Sequence, residues 1–255
     1  MLSSPSSIVF LCDNLNDKQK SEVKDIGFGG LLHLNIRKSY HGMARYFIDQ
    51  YDVTTSVFIV NDHCKFTVSQ YDICDIFGLP LTDNYIVESS MKNNANDQLI
   101  EEWKEKLDCV GQKEIPAEKL LSKMVGVLKE GGDDFKRFFV MYAMVTFLAP
   151  TSHKTVDYTL VKALVDVNQI RNLNWCGLVF ERFKSGLERC QTRKLKYIPS
   201  CLTILELCLF HRFGVMGDFA SSSLPLIQHW SYELLKERAK RELKARSIGL
   251  GDFDA

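Results

Sequence analysis

Cys208 and His211 stand three residues apart in "CLFHRF", so a helix brings a thiol and an imidazole to one side, within reach of a single metal ion. A closed zinc site needs four ligands, usually from two such pairs, and the sequence holds no second C-x-x-C or H-x-x-x-H. His63 and Cys64 are adjacent, in a predicted turn. The expectation is therefore a structural thiol at Cys208, a surface or capped histidine at His211, and no metal site. "GFGGLL", residues 27–32, has the glycine content of a phosphate-binding loop. Such a loop follows a hydrophobic strand and runs into a helix that begins with Lys-Ser/Thr. Here a charged helix precedes it, so the glycines read as a helix stop followed by insertion of Phe28 into the core.

A basic run near the C-terminus comprises Lys236, Arg238, Lys240, Arg241, Lys244 and Arg246, interspersed with Glu237 and Glu242. These six cations are the candidate contacts to nucleic acid or to a protein partner, and a solvated helix face is the competing reading. Paired carboxylates, Ser/His/Asp arrangements and dinucleotide fingerprints are not identifiable. No residue is assigned a catalytic, cofactor-binding or metal-binding role, and the protein is expected not to be an enzyme.

The elements that must position these residues come from a chain of 255 residues, 45% hydrophobic and 25% charged, ordinary values for a globular protein with a sizeable core. Thirty-two basic residues balance thirty-two acidic ones, so net charge supplies no general attraction to nucleic acid or an anionic membrane. The N-terminal stretch has neither the basic n-region of a secretory signal nor the arginines of a transit peptide. Eight cysteines without such a signal are read as free, mostly buried thiols in a reducing intracellular compartment. The most apolar stretch, "FFVMYAMVTFLAP", covers thirteen residues and ends at Pro150, against about 20 needed to cross a bilayer. It is read as a central buried helix, apolar on every side. Phe138, Phe139, Tyr142 and Val145 are expected to pack on Trp175, Val179, Leu205 and Leu209.

Capping and breaking residues delimit the other elements. Asn16 with Gln19 has capping-box spacing, Val23 and Ile26 form an apolar face, and Gly27 ends that helix. Tyr40, Met43, Phe47, Ile48 and Tyr51 share one helical face. Residues 56–60 and 65–68 flank Asn61-Asp62 as a small hairpin, the only clear β signal. Ser69 with Asp72 caps a helix that Gly78 and Pro80 stop. Residues 82–132 are more polar and read as a candidate mobile insert, with a loop over 89–97 and two amphipathic helices, the second opened by Pro116 at its first position. Asp133 or Asp134 caps the apolar stretch. Further helices carry Trp175, Leu178, Val179, Phe183, Leu187 and Cys190, and then Leu202, Leu205, Leu209 and Phe213. The last helix is expected to start at Pro225. The fold class is mainly α, one multi-helix domain over 1–255 with one small β-hairpin near 56–68, an N-terminal segment over 1–15 and a tail over 247–255. No linker, repeat or low-complexity tract divides it.

Several blocks together resemble the plant mobile domain, a transposon-derived plant family also described as aminotransferase-like. They are "IGFGGLLHL" (26–34), "VSQYDICDIFGLPL" (68–81), "FFVMYAMVTFLAPTS" (138–152), "ALVDVNQIRNLNWCGLVFERF" (163–183), "SCLTILELCLFHRF" (200–213) and "PLIQHW" (225–230). The match spans nearly the whole chain. In some elements a related domain precedes a SUMO-protease-like domain, whose catalytic His lies on a strand before a Trp and whose Cys sits in an Asp-Cys-Gly context. Here His229-Trp230 lies at a predicted helix start and no Asp-Cys-Gly occurs, so Trp230 is read as core, beside Ile227 and Leu234. Aminotransferase chemistry needs a Lys Schiff base and a phosphate cup, and no residue is assignable to either.

The resemblance implies a free-standing mobile domain that works through protein partners, among them phosphatase-like proteins or nuclear complexes, with the nucleus favoured over the cytoplasm. The expected function is a non-enzymatic protein–protein interaction module. The alternatives are a nucleic-acid-associated module using the basic C-terminal helix, and a selfish or toxic element protein acting through host partners. Self-association into a homo-oligomer is a further candidate, and no membrane span is expected.

Overall fold

The computed structural model describes residues 5–39, 41–60, 65–88, 95–126, 128–151, 153–193, 195, 200–212 and 223–244, without the side chains at 41–44, 95–97 and 242–244. Pro5 opens α1 (Pro5–Asp13), a position where a missing N–H costs no hydrogen bond, and Ile8, Val9, Leu11 and Cys12 are buried. This helix is additional to the elements expected from sequence, where residues 1–15 form an N-terminal segment. In α2 (Asp17–Asp25) the Asn16 carboxamide accepts from the Gln19 amide at 2.9 Å and Gln19 Oε1 accepts from the Asn16 amide at 3.0 Å, the expected capping box. Gly27 follows with φ +84°, and Phe28 enters the core against the edge of Trp175 at 5.5 Å. The 3-10 turn Gly29–His33 then passes so close to the next layer that a Cβ on Gly30 would lie 1.8 Å from the Phe77 carbonyl oxygen. The glycines of "GFGGLL" therefore serve a turn and a close backbone approach.

The helix α3 (His41–Asp49) is shorter than its apolar spacing suggests. Tyr51 belongs to β1 (Tyr51–Asp52), opposite Phe58 of β2 (Val57–Ile59), which in turn faces Phe66 of β3 (Lys65–Phe66). The predicted hairpin is present and gains β1 as a third antiparallel strand. Tyr51–Phe58 and Phe58–Phe66 ring centroids are both 4.8 Å apart, and this cross-strand aromatic column holds Tyr51 in the sheet instead of a further helical turn. Asn61 and Asp62 lie outside the described residues, as do Tyr40, His63 and Cys64.

Ser69 and Asp72 form the capping box of α4 (Gln70–Phe77), and Gly78 ends it in the left-handed region. In the segment read as an insert lie α5 (Ala95–Lys106), β4 (Ile115–Pro116) and α6 (Ala117–Gly126). Trp103, Leu107, Ile115, Leu120 and Met124 there are all buried, so this polar stretch contributes a layer of the core. Residues 89–94 of the predicted loop lie outside the described residues. Pro116 is not the first helical residue. It pairs with Thr155 of β5 (Thr155–Val156), and the helix begins at Ala117.

The apolar stretch forms α7 (Asp133–Ala143), continued by one π-helical turn, Met144–Leu148, and everything from Phe138 to Pro150 is buried. The residue at its N-cap is Gly132, not an aspartate; its N–H donates to the Glu22 carboxylate at 2.9–3.0 Å, which places an acid at the helix start from another helix. Thr146, the one aliphatic polar residue, satisfies its hydroxyl on the Tyr142 carbonyl at 2.6 Å. The main packing partners differ from those expected on α9 and α10: Phe138 meets Trp103 at 5.8 Å, while Phe28 packs on Trp175. The helix α7 packs on α6 and α2, and the π turn packs on α1. Among the described residues no helix is long and apolar enough to cross a membrane.

Asp157 caps α8 (Tyr158–Ala163), and a 3-10 turn, Val167–Asn172, leads to α9 (Trp175–Thr192), capped by Asn174. In α10 (Leu202–Arg212) every residue from Leu202 to Phe210 is buried, so α10 shares the centre of the fold with α7. Phe213 lies outside the described residues. The last helix, α11 (Tyr232–Lys244), starts seven residues later than expected from Pro225. Residues 226–229 form a 3-10 turn and Trp230 is extended, because Ser231 pairs with Asn35. Trp230 stacks on Phe210 at 5.7 Å; Leu234, its expected neighbour, is exposed, and Leu235 occupies the core instead. One hydrophobic cluster runs from Ile8 to Ala239 and unites these elements into a mainly α fold with small antiparallel sheets.

Candidate binding face along helix α9

Residues 79–88 form an extended strap over the N-terminal half of α9. Pro80 cannot continue α4, and the strap hydrogen-bonds to the incoming turn of α9: Asn174 N–H to the Asn84 carbonyl at 2.8 Å, and Cys176 N–H to the Pro80 carbonyl at 3.2 Å. Thr82 Oγ1 donates to the Asn172 carbonyl at 2.8 Å. Asn174 is the hub of this junction. Its Oδ1 accepts from Gly177 N–H at 2.7 Å, its Nδ2 donates to Gln70 Oε1 at 3.1 Å, and the residue is buried. Where the strap leaves α9, Arg182 fixes it. Its Nε stands 3.1 Å from Glu88 and its Nη1 2.8 Å from Asp157, the cap of α8.

Two concavities flank this ion pair and share Glu88 and Glu181 in their walls. The first, about 370 Å³, lies between α4, the strap and α9 and is lined mainly by Tyr71, Tyr85, Ile86, Leu178 and Phe180. Tyr71 and Tyr85 are 65% and 58% exposed, and Val87 beyond them 78%, although the backbones carrying them are firmly packed. The second, about 660 Å³, follows the C-terminal half of α9. Arg182, Ser185, Arg189 and Arg193 line it on one side, with Pro150, Thr151 and Ser200 among the residues opposite. Among the described residues neither lining contains His, Cys or Lys.

The residues singled out from sequence do not converge. Cys208 is buried in α10, where desolvation raises its thiol well above the usual range, while His211 is exposed. Among the described residues no group of three or more His, Cys, Asp or Glu side chains could hold a metal ion. His229 Nε2 lies 2.7 Å from Ser223 Oγ at the surface. On α11, Lys236, Lys240 and Arg241 are exposed, and Arg241 pairs with Glu237 at 2.6 Å. Arg238 turns inward: it is 6% exposed, with its guanidinium 5.3 Å from the Phe210 ring centroid. It thus leaves the outward basic face expected of it. Arg246 and the side chain of Lys244 lie outside the described residues.

Tyr71, Tyr85, Arg189 and Arg193 were missed from sequence. The arginines had a signal: positions 182, 185, 189 and 193 repeat at helical spacing on the polar side of α9, opposite the apolar face that was read. The tyrosines had none, because their adjacency depends on the strap.

The chain matches no curated protein and no solved structure. The strap, α9 and every residue lining the two concavities fall within residues 2–206, whereas α11 falls beyond them. That stretch, most of the chain, matches the model of a domain of unknown function, DUF8566, and the chain belongs to that family.

Proposed function

We propose that this protein is a non-catalytic protein-interaction module whose docking site is the aromatic groove between α4, the strap and α9. The observation that carries it is the pair of solvent-facing tyrosines, Tyr71 and Tyr85, lining a preformed apolar concavity, with exposed Val87 next along the strap. Tyrosines on a rigid scaffold provide large contact area at small entropic cost, and apolar groups grouped this way mark interaction sites. The rim carries Glu88 and exposed Glu181, so the occupant is an extended partner segment with an aromatic or large aliphatic anchor followed by Lys or Arg. The resemblance to the plant mobile domain supports the same class of function, with nuclear partners and a transposon origin as its further content.

Selection of a random peptide library on the full chain tests this. The expected result is enrichment of an anchor-plus-basic motif whose binding falls at least tenfold in Y71A/Y85A, the loss of about 1.4 kcal/mol or more that hot-spot residues show. No enriched motif, or equal binding by the double variant, sinks the reading.

A further inference from the structure

We infer that the larger cavity beside the C-terminal half of α9 is a binding site for a small phosphate-bearing molecule, with the phosphate held by Arg189 and Arg193. Arg37, Arg45, Arg137, Arg182, Arg212 and Arg241 each face a carboxylate. Arg189 and Arg193 face none among the described residues. Among the described residues the Arg189 side chain makes one hydrogen bond, 3.3 Å from Nε to the Ser185 carbonyl one turn back. Arg189 lies in the last turn of α9 and Arg193 is its C-cap, so the two arginines stand one turn apart at the same helix end. Both line a cavity of about 660 Å³, within the range of small-molecule sites. Two planar forks of N–H donors suit a dianionic oxyanion with several acceptor oxygens better than a single carboxylate.

The rest of the lining orients the ligand. Glu88 and Asp157 lie at the opposite end, where Arg182 holds them. Arg182 and Arg189 are about 10 Å apart along the helix axis at 1.5 Å per residue. The cavity is therefore polarised, with Arg189 and Arg193 at one end and, at the other, Glu88 and Asp157 around their shared counter-ion Arg182. Ser185, exposed on α9 between Arg182 and Arg189, adds a hydroxyl to the lining, whereas the Thr151 and Ser200 hydroxyls are engaged with Thr155 and with the Phe183 carbonyl. A phosphorylated polyol fits this arrangement: its phosphate at the arginines, its hydroxyls toward Ser185 and Asp157. Arginines at the end of α9 also complement the helix dipole. That role alone predicts a change in stability and no ligand.

The test is calorimetric titration of the full chain with inorganic phosphate and with ribose 5-phosphate at fixed ionic strength. One saturable site is expected, weakened about tenfold by R189Q and by R193Q, the loss of one charge-assisted hydrogen bond each. R37Q, on a remote surface, leaves it unchanged. Tighter binding of ribose 5-phosphate than of phosphate shows that the cavity holds the ester's body; equal binding assigns the site to free phosphate. Should either glutamine variant fail to fold by circular dichroism, R189K/R193K keeps the charge, and several-fold weaker binding is expected from loss of the fork. Shifts of arginine Nε–H resonances in the native chain report the same site without substitution. Absence of saturable binding by both probes, or binding unaffected by the variants, overturns the inference. The groove variant Y71A/Y85A retains phosphate binding, so this site and the peptide-docking reading stand or fall separately.

Discussion

The Arg182 guanidinium meets the Asp157 carboxylate at 2.8 Å, and through that contact α9 holds the start of α8. Asp157 spends its other oxygen on the Leu160 amide at 3.0 Å, and Arg182 spends its Nε on Glu88 at 3.1 Å. One arginine thus couples a helix cap, the strap and the wall between the two concavities. Its side chain is 15% exposed, while Asp157 and Glu88 are 36% and 62% exposed, so solvent screens the acids far more than the base. R182M is expected to cost about 1–3 kcal/mol, since it leaves Asp157 partly buried without its counter-charge. The urea midpoint measures this. Amide exchange at residues 84–88 should accelerate in the same variant, and an unchanged exchange rate would show that the strap does not depend on Arg182.

Gly30 answers to the backbone, not to the phosphate chemistry its neighbours suggest. A methyl group there would lie 1.8 Å from the Phe77 carbonyl oxygen, so the 3-10 turn or α4 must move. G30A is expected to destabilise by about 3 kcal/mol or more, at the upper end of overpacking effects. Gly126 has open space around its position, so G126A is the matched control and should be tolerated. Thermal melting of the two variants decides between these outcomes.

On α11 the cations divide by burial. R238A is expected to lose about 1–2 kcal/mol, because the guanidinium and its stem cover Phe210. K236A and K240A, both exposed, should stay within about 0.5 kcal/mol of the native chain. Equal effects in all three would mean that Arg238 is not packed as described. The same set bears on the nucleic-acid alternative: among the described side chains of this helix Lys236, Lys240 and Arg241 are the exposed cations for mixed-sequence DNA, and such binding must weaken steeply with salt.

The thiols make stability depend on alkaline pH. Burial pushes Cys12 up to about 12 from an ordinary value of 9.0, and raises Cys176 and Cys208 further. Above pH 9 the unfolded chain releases thiol protons that the folded chain keeps, so their contribution is complete below the unfolded value and is lost as pH rises toward the folded one. The urea midpoint is expected to fall between about pH 9 and 11, less steeply in C12A. Under native conditions Cys74, half-buried on α4, should label with iodoacetamide before Cys12, Cys176 or Cys208, since thiolate fraction and exposure govern the rate. Mass spectrometry of the labelled sites gives the order.

By itself the sequence determined what nearest neighbours on the chain can decide. Asn16 with Gln19 and Ser69 with Asp72 cap helices through contacts three residues long, and Gly27 and Gly78 end them by tolerating positive φ. Apolar spacing likewise marked the buried faces of α4 and α9, because a helix presents every third or fourth residue to the same side. Tertiary structure decided where distant segments compete for one residue. Tyr51 left its helix for Phe58 and Phe66, Ser231 was drawn extended by Asn35, and Glu22 took the helix start that Asp133 was expected to cap. The candidate site is of this second kind. Gln70 meets Asn174 across 104 residues and Glu88 meets Arg182 across 94, and no local periodicity encodes such pairings. Only packing of the strap against α9 places two tyrosines beside one groove and lines one cavity with two arginines that face no carboxylate among the described residues.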